Sequence, residues 1–220
     1  MNARKVLVFG GSFNPPHRRH VSLAQQAAAT IGADEIRVIP ANINPQRQDQ
    51  PTTAAHHREA MLRIAFAGEA RAVIDTQEIA RGGASFTVDT LNNLRAQCPA
   101  AQFFLLLGGD QALNFYSWKD PLGILALATP VVVPRAPLNA DELLQQIAAR
   151  QDAATANLWR AWILPLEAAA DSSTQLRGNI VAGAALDHTH IDPHVLAYIN
   201  QHFVCVCKYS ALELHSPNRH

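Results

Sequence analysis

Gly10-Gly11-Ser12-Phe13-Asn14-Pro15-Pro16-His17-Arg18-Arg19-His20 follows a short apolar run, 6–9, with residues suited to holding a polyanion. Two glycines let a backbone approach a ligand closely and turn sharply. The helix expected next, from about residue 18 to 31, would offer unpaired amides and a favourable field to an anion. His17 and His20, three residues apart, can share one face of its first turn and bind phosphate oxygens, above all when protonated. No Gly-Lys-Ser/Thr follows, so this is not a Walker A loop, and the third glycine of the dinucleotide fingerprint is missing. A turn carrying two surface histidines is the plainer alternative. A zinc site would need a further ligand, and none is indicated.

Asp171-Ser172-Ser173-Thr174-Gln175-Leu176-Arg177 puts three hydroxyls at an expected helix start and a guanidinium one turn later. The hydroxyls can cap the helix, and Arg177 can reach the anion that exposed amides attract. An ordinary N-cap with a surface arginine would look the same. Leu107-Gly108-Gly109-Asp110 closes the most hydrophobic strand as a glycine turn with an acid able to cap a helix. Arg135 follows Pro134 at the end of the run 131–133, where a guanidinium suits an acidic substrate. His17, His20, Arg47 and Arg177 could surround a chain of phosphates, while no Ser-His-Asp or Cys-His nucleophile is recognisable.

Such residues need a scaffold that gathers them. Strands are expected at 6–9, 36–40, 73–74, 103–107 and 131–133, with a late one at 161–164 ahead of Pro165. Helices are expected at about 18–31 and 53–67, over Val88 to Leu94, at 122–127, around Leu143 and Ile147, after Ser173, and from Pro193 to about Phe203. Apolar strands without alternation, flanked by helices, imply an α/β fold. It should be Rossmann-like and doubly wound, a mostly parallel sheet with helices on both faces. Ligands in such folds collect beyond the carboxyl ends of the strands, near a switch in strand order. Gly10-Gly11, residues 40–47, Gly108 to Asp110 and Pro134-Arg135 fall there. No Pro/Gly/Ser linker divides the chain, so residues 1–207 read as a single domain with a C-terminal helical part at about 172–204. Residues 208–220 read as a loosely packed tail.

Composition narrows the classes. With 48% apolar residues in 220, a real core is expected. Eighteen Lys plus Arg balance eighteen Asp plus Glu without a basic block. That argues against a general nucleic-acid binder but allows a local pocket for a small polyanion. No apolar run approaches 18 residues and no long h-region precedes Lys5, so neither a membrane span nor a secretory signal is expected. Cys98, Cys205 and Cys207 are too few for a disulfide scaffold and lack metal-ligand spacing, and they read as reduced thiols of a cytoplasmic protein.

Gly-Gly-Ser-Phe-Asn-Pro-Pro-His-x-x-His resembles the signature of the nucleotidylyltransferase superfamily, and specifically the bacterial nicotinate-nucleotide adenylyltransferase family, over about residues 5–204. The resemblance implies that His17 and His20 contact ATP phosphates, within an ATP site that includes Gly10, Gly11, Ser12 and Phe13. Residues 171–177 are similar to the family's Ile-Ser-Ser-Thr-x-Ile-Arg, implying that Ser172, Ser173, Thr174 and Arg177 hold the triphosphate. Gly108 and Asp110 match a family Gly-x-Asp of the nucleotide cleft, where the acid bonds a ribose or helps to place Mg²⁺. For the acceptor, the resemblance implies stacking by Trp118 and carboxylate binding by Thr87, with Phe86 standing where Tyr is common. It also implies acceptor roles for Asn14, Ser85 and Arg135. Arg47 joins them as the basic end of Pro45-Gln46-Arg47, where the family has Pro-His-Lys or Pro-His-Arg. His57-Arg58 fits a family His-Arg pair. Arg19 stands where the family has Gly, either crowding the phosphate site or adding charge to it. Asp171 replaces Ile, an unfavourable acid unless it points away or faces a metal.

The implied reaction transfers the adenylyl group of ATP to nicotinate mononucleotide by direct in-line attack at the α-phosphorus, giving deamido-NAD and pyrophosphate. His17, His20 and Arg177 would be the catalytic residues. Mg²⁺ would arrive with ATP, held mostly by phosphates and waters rather than by a protein cage. Alternatives keep the phosphate motifs but take nicotinamide mononucleotide or phosphopantetheine, or bind a nucleotide without turnover. Neither nucleic acid nor a membrane is expected as a partner, and a homo-oligomer is left open.

Overall fold

β1 (Lys5–Gly11) leads through α1 (Arg18–Ile31) to β2 (Glu35–Pro40), and the chain then passes through a short 3-10 turn at Pro45–Arg47 into α2 (Ala55–Ala65) and β3 (Ala72–Ile74). Two helices, α3 (Gln77–Arg81) and α4 (Thr87–Gln97), precede β4 (Gln102–Gly108), which runs directly into α5 (Gly109–Leu113). After α6 (Pro121–Leu127) come β5 (Ala128–Val133), α7 (Ala140–Arg150), α8 (Ala153–Arg160), α9 (Ser173–Val181) and α10 (Pro193–His202). This computed structural model describes residues 3–47, 52–134, 138–166, 173–181, 190–202 and 204. Arg135, Asp171, Ser172, Cys205, Cys207, the side chain of Arg47 and the tail at 208–220 lie outside the described residues.

The five strands are all parallel, in the order β3-β2-β1-β4-β5. Strand order therefore reverses between β1 and β4, and a ligand crevice is expected outside their carboxyl ends. Those ends are Gly10-Gly11 and Gly108, the glycines singled out above.

Side chains alternate across the sheet, yet both faces are covered, which is why the strands look uniformly apolar. Val6, Val8, Phe103, Leu105 and Leu107 pack on one face with Leu91, Leu143 and the fully buried Trp159. Leu7, Phe9, Leu106, Val131 and Val133 pack on the other, against the alanines of α1 and Leu62 of α2. Alanines at 24, 27 and 28 let α1 lie close on β1, and Gly32 stops the helix in left-handed backbone at φ 65°. A smaller cluster joins Met61 of α2 to Val195 and Ile199 of α10. It docks α10 against α2.

Three helices went unread in the sequence: α3, α5 and α8 are only five to eight residues long. The strand expected at 161–164 is instead one bridge, Val132 to Ile163, following a turn at Ala161-Trp162. Asp152 starts the helix that precedes this bridge. Its carboxylate accepts the Thr155 N–H at 2.7 Å and caps α8, so the chain reaches the sheet from a helix that ends only at Arg160 and, among the described residues, pairs with β5 around Val132 alone.

Candidate active site

The loop after β1 is folded tightly onto itself. Phe13 has φ 44°, and its ring lies over Gly11, where a Cβ would meet ring atoms at 3.1 Å. That ring packs edge-on to Phe9 and to His20, fixing the imidazole from below. His17 is not a first-turn residue but the cap of α1, buried, with its ring 3.7 Å from that of His20. The His17 backbone N–H donates to His20 Nδ1 at 3.2 Å. An accepting Nδ1 carries no proton, so neutral His20 holds its proton on Nε2. The Arg18 amide, expected to face an anion, donates instead to the His190 carbonyl at 3.0 Å.

A cavity of about 220 Å³ opens over this loop. Gly10, Gly11, Ser12, Phe13, His17 and His20 form one side of it. Gly108 and Asp110 close it from the end of β4, and Ser173, Thr174 and Arg177 close it from α9. The two ends of the chain are tied there: Ser173 Oγ donates to the Pro15 carbonyl at 3.1 Å and Arg177 Nη1 to the Asn14 carbonyl at 2.6 Å. Arg177 Nη2 also donates to Thr174 Oγ1 at 3.2 Å. Arg19 stands in the wall of the open cavity and adds a cation to it. Asn14, expected beside the acceptor, lines this cavity instead, because Arg177 holds its carbonyl here.

A second cavity, of about 260 Å³, adjoins the first. Its floor is apolar, from Val8, Ile39 and Leu105 to Leu107, and Phe86 and Trp118 supply aromatic walls. Among the described residues the buried Trp118 indole N–H has no hydrogen-bond partner, and its ring forms part of the cavity wall. Ser85 and Thr87 lie at the mouth of α4, where the Asp89 amide donates to the Phe86 carbonyl at 3.1 Å and the Thr87 and Val88 amides have no acceptor within the helix. Lys119 adds a positive charge, 4.7 Å from the Phe86 ring centre and bonded to Asp89 at 3.0 Å.

Lys119 in this second wall, and Gln111 between the cavities, had been given no role from the sequence; Glu78 lines the second wall as well. Glu78 is buried, and Thr90 Oγ1 donates to it at 2.6 Å. Burial pushes its carboxyl above the ordinary value, against the downward pull of Thr90, Ser85 and Arg81. The Ser85 hydroxyl in turn accepts the Asn42 N–H at 2.9 Å, so Glu78 anchors the start of α4 to the loop after β2. For Gln111 and Lys119 the only sequence signal was proximity, since they follow Asp110 and Trp118.

Arg58 holds the loops in place. Its buried guanidinium donates to three backbone carbonyls: Thr53 at 2.9 Å, Ser12 at 3.1 Å and Asn42 at 3.4 Å. Burial lowers its pKa, and its task here is to tie loops together. His57 lines neither cavity; its Nδ1 sits 2.9 Å from the Tyr198 hydroxyl, between α2 and α10.

Residues 8–179 match the cytidylyltransferase-like family model. A Chromobacterium violaceum protein named "Probable nicotinate-nucleotide adenylyltransferase" is 37% identical over 212 residues, spanning 91% of this chain and 98% of its own. The chain belongs to the nicotinate-nucleotide adenylyltransferase family. A family relative from Bordetella pertussis, of the same name, is 37% identical over 207 residues, spanning 92% of this chain and 98% of its own. Among solved structures, Plasmodium falciparum nicotinic acid mononucleotide adenylyltransferase complexed with NaAD aligns with a TM-score of 0.72 at 16% identity, over 92% of this chain and 97% of that one. At that identity the likeness speaks for the adenylyltransferase fold. Among the described residues of this family member, no group of three or more His, Cys, Asp or Glu could hold a metal ion, and no helix is long and apolar enough to cross a membrane.

Proposed function

We propose that this chain transfers the adenylyl group of ATP to nicotinate mononucleotide, forming deamido-NAD and releasing pyrophosphate. The observation that carries this reading is the adjacency of the two cavities. One is lined by His17, His20, Arg19 and Arg177, the other by aromatic rings with a helix start and Lys119, and they share part of their walls. A triphosphate fits the first by charge, and a flat ring bearing a carboxylate fits the second. The acceptor's own phosphate then meets the α-phosphorus where the cavities join. Its oxygen forms the new P–O bond, the bond from the α-phosphorus to the bridging oxygen breaks, and pyrophosphate leaves with the electron pair.

No side-chain nucleophile is placed for a covalent intermediate among the described residues of the site, so the protein acts by alignment and by charge. His17, His20, Arg19 and Arg177 face the charge that pyrophosphate carries away. Among the described residues Asp110 is the one acid lining the phosphate cavity. That donor set suits Mg²⁺ carried in by ATP and held mainly by phosphate and water, with Asp110 supplying the protein's oxygen. Such an ion would neutralise phosphate charge during transfer. Acceptor roles for Ser85, Thr87 and Trp118 belong to the same proposal, as does a cytoplasmic location.

The test mixes ATP and Mg²⁺ with nicotinate mononucleotide or its amide in parallel and follows pyrophosphate release. Release with the acid form, faster than with the amide, is the expected result. ATP binding with both acceptors inert would replace this reading with a nucleotide-binding module.

A further inference from the structure

Both cavities share Gly10, Gly11, Asn44, Gln46 and Gln111. None of the five side chains titrates, and the glycines contribute backbone alone. Asn44 is engaged at both ends of its amide: Nδ2 donates to Ser12 Oγ at 3.3 Å, and Oδ1 accepts the Gln46 N–H at 2.9 Å. Gln111 is held at one end only. Its Oε1 accepts the Gly108 N–H at 3.0 Å, while its Nε2 donates to none of the described residues. Because Gly108 N–H can only donate, it decides which end of the amide is oxygen, and the NH₂ group is left for the cavity side.

We propose that Gln111 is a further catalytic residue, whose Nε2 hydrogens bond the phosphate oxygens at the seam between the cavities as the new P–O bond forms. The inference rests on the adenylyl-transfer reading above and adds a residue to it. Charge on the non-bridging oxygens is redistributed as the α-phosphorus is transferred, and a donor already aimed at them needs no reorganisation. Gln111 has that property because the last amide of β4 fixes the far end of its side chain. No proton is exchanged with the amide, so its contribution does not vary with pH.

Gln111→Glu separates this role from that of a helix cap. The variant keeps an oxygen for the Gly108 N–H and adds a negative charge in the first turn of α5, which favours the fold. It removes both N–H donors and places that charge against the phosphates. We expect pyrophosphate release to fall by about 100-fold in kcat, with a melting temperature within about 2 °C of the parent. Gln111→Met, which removes donor and acceptor without adding charge, should lose at least about tenfold in kcat at every pH from 6 to 9. A Gln111→Glu protein with kcat within about twofold of the parent would overturn the role of Gln111, as would losses confined to KM in both variants. An unsubstituted protein that releases no pyrophosphate with either acceptor would instead overturn the transfer reading itself.

Discussion

Arg177 Nη1 donates to the Asn14 carbonyl at 2.6 Å, a bond that spans 163 residues of sequence. It locks α9 to the loop after β1 and sets the guanidinium, whose Nη2 also donates to Thr174 Oγ1, in the wall of the first cavity. Arg177→Lys keeps the charge but replaces a planar fork by one ammonium, which cannot hold the loop and a phosphate together. We expect kcat/KM for ATP to fall by about 10- to 100-fold with little change in KM for the acceptor. Steady-state kinetics with each substrate varied checks this. Equal weakening toward both substrates would place Arg177 outside the phosphate site.

His20 has two separable tasks, since its Nδ1 caps the His17 amide while its ring lines the cavity. Asn in its place supplies an oxygen near Nδ1 but nothing near Nε2. His20→Asn should therefore melt closer to the parent than His20→Ala, because the amide remains capped. Both variants should lose about 100-fold in kcat. Recovery of activity by the Asn variant would reduce His20 to a cap.

Glu78 makes stability depend on pH in a defined direction. Burial raises its folded pKa above the ordinary 4.5, so an unfolded chain releases this proton first as pH rises. The cost of burying the carboxyl is absent below about 4.5, grows as pH climbs from there through the folded value, and then levels off. Gln removes the proton while keeping an acceptor for the Thr90 hydroxyl. The melting temperature of Glu78→Gln minus that of the parent should increase over that range. A difference that is flat with pH would show that Glu78 ionises in the fold as easily as in water.

At the α2–α10 contact the sign is reversed. Burial, followed by the charges of His56 and His202, lowers the His57 pKa below 6.5. The unfolded chain takes up this proton first as pH falls, so the stability present above about 6.5 is lost on going below it. Protection factors of amides in α10, taken relative to the intrinsic exchange rate, should fall as pH drops below about 6.5, and His57→Gln should flatten that dependence. Unchanged protection of α10 in the parent over this range would contradict it.

Much of the scaffold could be read from the chain. The runs 6–9, 36–40, 103–107 and 131–133 are apolar at nearly every position because helices cover both faces of the sheet, and they became β1, β2, β4 and β5. Short helices were not readable. α3 buries Glu78 as its inward residue and α5 buries only Gly109 and Ala112, so neither shows the apolar period that marks a helix. That His17, His20, Ser173, Thr174 and Arg177 gather was legible because they sit in two compact segments, each with its own local chemistry, and the structure brings both to one cavity. Lys119 and Gln111 were not, since a lone polar residue gives no sign of the cavity it faces.

Sequence alone therefore determined the parallel sheet, the glycine-ended strands and the cationic inventory around His17, His20 and Arg177, because burial and helix starts leave marks within a few residues. Tertiary structure decided which polar groups meet. Asn14 lies with His17 and His20 because Arg177 reaches it from α9, the loops converge because Arg58 binds three of their carbonyls, and Gln111 stands at the seam because β4 ends beside β1. Those meetings depend on contacts between segments far apart in the chain, and no local pattern of residues encodes them.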